Sequence, residues 1–120
     1  MTPAARSLQV FGIYLIGIGV VLLFVPNLLL GLFGFPPAEE VWIRVLGLVV
    51  GILGVYYVIA AVRALRPLYL PTVILRSLAF TTFVALALLN LAPPQLVIVG
   101  VIDLLGALWT WRALRVEPRA

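Results

Sequence analysis

Between Arg6 and Glu39 the chain carries no charged residue. Positions 8–25 alone are long enough to cross about 30 Å of hydrocarbon at about 1.5 Å per residue. Hydrophobic residues make up 65% of the 120-residue sequence and charged residues 10%, whereas soluble domains hold about half and about a quarter. A small soluble domain leaves much of its area in contact with water, so lipid is the solvent that suits this composition. A cleaved signal peptide fits less well. The charged leader is only residues 1–6, the apolar run exceeds a typical h-region, and no A-x-A site follows. The run therefore reads as a retained helix.

Proline punctuates the rest. Pro26-Asn27 predicts a kink near the far end of the first span, and residues 28–35 either continue that helix or lie in the interface. Pro36-Pro37 stops it. Glu39-Glu40 opens the next helix, where carboxylates favour the positive helix end. A second span covers 41–62. Arg63, Arg66, Pro67 and Pro71 form a basic turn, and a third span runs from about 71 to 91. Pro93-Pro94 marks a tight return before a fourth span over 95–114. With the first span at about 8–30, the expected fold class is all-α integral membrane. It is a single four-transmembrane-helix bundle over residues 1–120, with no repeat and no soluble linker.

The eight basic residues are all arginines, against four acids. With the N-terminus inside, Arg6, Arg63, Arg66, Arg76, Arg112, Arg115 and Arg119 lie on the inner side. Only Arg44 lies near the outer one, beside Glu39 and Glu40. Such an excess in short loops sets orientation, so both termini are expected in the cytoplasm. The net charge of +4 reads as this orientation signal, not as a nucleic-acid patch. Phe33, Phe35 and Trp42 flank the outer boundary; Tyr69, Trp109 and Trp111 gather towards the inner one.

Missing residue types exclude several chemistries. Without cysteine there is no thiol–disulfide chemistry and no thiolate metal site. Without histidine the commonest metal and haem ligand and the usual neutral-pH base are gone. The sole methionine is Met1. No metal and no cofactor are expected.

Small residues mark helix faces. Gly47, Gly51 and Gly54 follow Arg44 along helix two, and Gly47-x-x-x-Gly51 is a close-packing motif. Gly12 and Gly19 lie on helix one, and Gly100 and Gly106 flank Asp103 on helix four. Packing between helices outweighs a ligand-facing role for these glycines. Asp103 carries the most information, because a bare carboxylate inside the membrane costs about 2.5–3.5 kcal/mol. Arg44 starts from the same boundary and its stem can span the depth gap, so Arg44–Asp103 is the expected buried pair. Arg76 enters from the opposite side and is expected to snorkel to the inner headgroups. The pair reads first as a structural staple and second as a ligand site. Tyr14, Tyr56, Tyr57, Asn27, Thr81, Thr82 and Asn90 are candidates for lining a cavity or bonding between helices.

Three segments resemble the DoxX-like superfamily of small four-helix bacterial membrane proteins. They are Gly12 to Gly19 ahead of Pro26, the opening Trp42-Ile43-Arg44-Val45-Leu46-Gly47, and Gly100-Val101-Ile102-Asp103-Leu104-Leu105-Gly106-Ala107. The resemblance implies the four-helix fold, an inner-membrane location and a pairing of Arg44 with Asp103. Relatives include assembly factors and subunits of quinone-linked oxidoreductases. Three roles follow as expectations. The first is an accessory, assembly or interaction subunit whose partners are the lipid bilayer and other membrane proteins or a second copy. The second is a small-molecule or lipid binding or transport protein holding an apolar or anionic ligand near Arg44 and Asp103. The third is a quinone-pathway subunit. Small multidrug transporters share the length, but they carry an acid in helix one and a weak charge bias, and this chain has neither.

Overall fold

A computed structural model describes residues 1–116, and Arg119 lies outside the described residues. The described chain is helical, in the order α1 (Pro3–Phe24), α2 (Pro26–Leu32), α3 (Trp42–Val62), a 3₁₀ turn (Arg66–Leu68), α4 (Tyr69–Leu88) and α5 (Leu96–Val116). No strand occurs among the described residues. Among the described residues four helical stretches are long and apolar enough to cross a membrane: α1, α3, the run Arg66–Leu88 and α5.

Local chemistry sets the ends. α1 begins at Pro3, ahead of residue 8, because proline is preset for the first helical turn and the Thr2 hydroxyl accepts the Ala5 N–H at 3.2 Å. It breaks at Val25, since Pro26 has no N–H to continue the ladder, and the short α2 follows. The next three stops share one geometry. Gly34, Ala64 and Asn90 adopt φ of 78°, 53° and 59°. The following N–H of Phe35, Leu65 or Leu91 reaches back to Leu30, Ala60 or Leu86 at 2.8, 2.9 and 2.9 Å. These left-handed closures satisfy carbonyls that a helix end leaves open.

The chain groups into two compact units, Gln9–Ile59 and Met1–Leu8 together with the chain from Ala60 onward. In the first, α1 and α3 meet backbone to backbone. A Cβ placed on Gly19 would stand 2.5 Å from the Gly51 nitrogen, and one on Gly47 would stand 2.7 Å from the Gly19 oxygen. Gly12 and Gly54 are as tight: their added Cβ atoms would lie 2.8 Å and 2.6 Å from each other's carbonyl oxygen. Gly51 is looser, with the Gly19 Cα at 3.9 Å. Phe11 stacks on Tyr14 and Tyr57 at 5.5 and 5.7 Å between ring centres.

In the second unit α4 packs on α5. A Cβ on Gly100 would meet the rings of Phe80 and Phe83, each at 3.2 Å. The buried positions of α5, Gly100, Ala107, Thr110 and Ala113, recur at helical spacing. Asp103 falls on the same stripe. Along all four long helices large aliphatic side chains such as Ile13, Leu48, Ile74 and Leu105 stand exposed.

Candidate functional site

In the unit holding α4 and α5, the guanidinium of Arg76 is a buried charge. Its residue is 4% exposed, and Ser7 and Thr110 beside it are 1% and 0% exposed. Arg76 Nη2 donates to Thr110 Oγ1 at 2.9 Å and to Thr72 Oγ1 at 3.2 Å, and Nε donates to the Thr72 carbonyl at 3.1 Å. Thr110 Oγ1 and Ser7 Oγ lie 2.7 Å apart. The backbone around them receives the remaining protons: Ser7 Oγ is 2.7 Å from the Ala4 carbonyl and Thr110 Oγ1 is 3.2 Å from the Gly106 carbonyl. Two hydroxyl protons thus serve three contacts, so either hydroxyl can donate across the Ser7–Thr110 bond while the other turns to its own carbonyl. Burying a cation is expensive unless its donors are met, and two threonines on facing helices meet several of them.

This corrects the expectation that Arg76 snorkels to the inner headgroups. The sequence shows an arginine one turn inside the boundary but not the hydroxyls of Thr72, one turn back on α4, and Thr110, on α5, that hold it in. Two hydroxyl residues on the arginine's own and facing helix stripes are the signal that was available.

Asp103 is half-buried on α5, two turns and about 10 Å of helical rise from Thr110. Arg44 belongs to the other unit, where it is exposed and differently engaged. Its Nη1 donates to the carbonyls of Leu23 at 2.7 Å and Phe24 at 3.1 Å. Those are the last carbonyls of α1, deprived of partners by the break at Pro26. A cation there also suits the negative helix end. Arg44 thus completes the break chemically.

The other polar candidates are engaged locally. Thr81 and Thr82 are exposed and donate to the Ser77 and Leu78 carbonyls at 3.0 and 2.9 Å, one turn back on α4. Asn27 Oδ1 accepts the Ala38 N–H at 2.8 Å, Asn90 occupies the left-handed closure of α4, and Tyr56 is exposed. Tyr14 and Tyr57 flank Phe11. Among the described residues no group of three acids or other metal-binding side chains gathers. No family model matches the chain, and neither a curated protein nor a solved structure matches it.

Proposed function

We propose that the chain is a four-span protein of the bacterial inner membrane, with both termini in the cytoplasm, acting as an accessory or assembly subunit. The observation that carries this reading is the bare third span. Only 6% of its apolar window is buried within the chain, against 39% for the first. Its exposed face offers Thr81, Thr82 and Ala85. Small and hydroxylated side chains let a second helix approach closely, which is how helices associate in lipid. The resemblance to DoxX-like proteins, some of which assist assembly of other membrane proteins, agrees with such a role.

The absence of cysteine makes the test direct. A photoreactive group attached at Thr81→Cys or Ala85→Cys, in native membranes, is expected to yield an adduct heavier than the monomer. The same group at Ile13→Cys or Val20→Cys, on exposed positions of α1, is expected to yield lipid adducts only. Equal yields from both helices, or none from α4, would refute the proposal. An adduct of twice the chain mass would make the partner a second copy.

The buried Arg76 cluster favours a second reading, a binding or transport protein for an anionic or apolar molecule. Arg76→Gln separates the two, since it leaves the α4 adducts intact under the first reading and abolishes binding of an anionic molecule under the second.

A further inference from the structure

Met1, Thr2 and Ala5, at the start of α1, line one wall of an open groove of ≈ 600 Å³, and Ala61, Val62 and Ala64, at the end of α3, line the other. All six belong to the same compact unit. The walls are small and mostly apolar, with no acid among them. Each wall is adjoined in the chain by an arginine: Arg6 directly follows Ala5, and Arg63 lies between Val62 and Ala64. Both arginines are exposed. The one described acid of this unit is Asp103, far along α5.

We propose that this groove binds one anionic phospholipid, with the glycerol and upper acyl carbons against Ala5, Ala61 and Val62 and the phosphate between Arg6 and Arg63. The charge is complementary, and basic pockets beside transmembrane helices hold anionic headgroups elsewhere. Ala5 and Ala61, at 2% exposure each, give the groove a floor without bulk, which leaves room for a chain of methylenes. The proposal depends on the chain being membrane-embedded and not on any partner of α4.

Native mass spectrometry on the full chain in detergent tests it, with phosphatidylglycerol, phosphatidylcholine and inorganic phosphate as probes. An arginine at an anionic surface contributes about 1 kcal/mol, a factor of about five. One phosphatidylglycerol per chain is therefore expected to be retained roughly 25-fold over phosphatidylcholine. Arg6→Gln with Arg63→Gln is expected to abolish the preference, whereas Arg112→Gln with Arg115→Gln, an equal loss of charge at positions that do not adjoin the groove lining, is expected to preserve it. Ala61→Leu is expected to lower retention by filling the floor, with unchanged helicity showing that the variant folds. Equal retention of the two lipids, or equal loss from both arginine pairs, would overturn the proposal. Competition by inorganic phosphate at the same concentration would also overturn it, because the site would then recognise an anion and not a lipid.

Discussion

Alanine at Gly19 and alanine at Gly17 differ by two positions on one helix, and they are expected to act in opposite directions. A Cβ at Gly19 would stand 2.5 Å from the Gly51 nitrogen, 2.6 Å from the Gly47 oxygen and 2.7 Å from the Gly51 Cα. All three are backbone atoms of α3, so no side chain can turn aside. Relief requires α1 and α3 to part by about 1 Å, and a gap of that size forfeits about a quarter to a half of the dispersion energy at each affected contact. The neighbouring Gly12 and Gly54 share that seam, so they lose contact too. Overpacking of this kind costs about 1–3 kcal/mol, and the backbone obstruction puts Gly19→Ala near the upper end. At Gly17 nothing lies within 4 Å of an added Cβ, so alanine brings only its better helix propensity, up to about 1 kcal/mol. Unfolding by sodium dodecyl sulfate in mixed micelles, followed by circular dichroism, is expected to separate the two variants by about 3 kcal/mol. Equal stabilities would refute the close α1–α3 seam. Gly51→Ala provides the internal control, since its 3.9 Å clearance is ordinary contact and its expected cost is small.

Thr110→Val keeps the shape of the side chain while removing the acceptor for Arg76 and the partner of Ser7. A buried cation losing a bond costs about 1.5–3 kcal/mol, and Thr110→Ser is expected to recover most of it in the same unfolding assay. Ala64→Gly relieves a left-handed alanine, which costs about 1–2 kcal/mol, partly offset by the greater freedom of glycine when unfolded. A gain of about 0.5 kcal/mol in that assay is expected, and a loss would contradict the closure geometry of α3.

The helices were legible as long apolar runs with few charges, bounded by proline and arginine. The break at Pro26 was legible for the same reason. The differences lie in tertiary detail that periodicity does not carry. Gly47 and Gly51 are equivalent as a motif, yet one meets backbone and the other has room, because only register against α1 distinguishes them. Arg44 was matched to Asp103 by depth and by the resemblance. Depth ignores the unsatisfied carbonyls of Leu23 and Phe24, which the helix break creates within reach of the guanidinium. Arg76 was assigned to the headgroups because its position near a boundary allowed snorkelling. The hydroxyls of Thr72 and Thr110, and the seal formed by Ser7 at the first turns of α1, depend on which helix faces meet. Ala64 gave no turn signal at all, since alanine seldom closes a helix in the left-handed region.

The account depends most on the chain threading the bilayer four times with its arginines inside. Paired reporters measure that directly, with alkaline phosphatase active only outside and green fluorescent protein fluorescent only in the cytoplasm. Fusions after Ala38 and after Pro93 are expected to show phosphatase activity and no fluorescence, and fusions after Arg66 and after the last residue to show fluorescence and no phosphatase. Phosphatase activity at the C-terminus, or fluorescence from the fusion after Ala38, would contradict the four-span arrangement and its orientation.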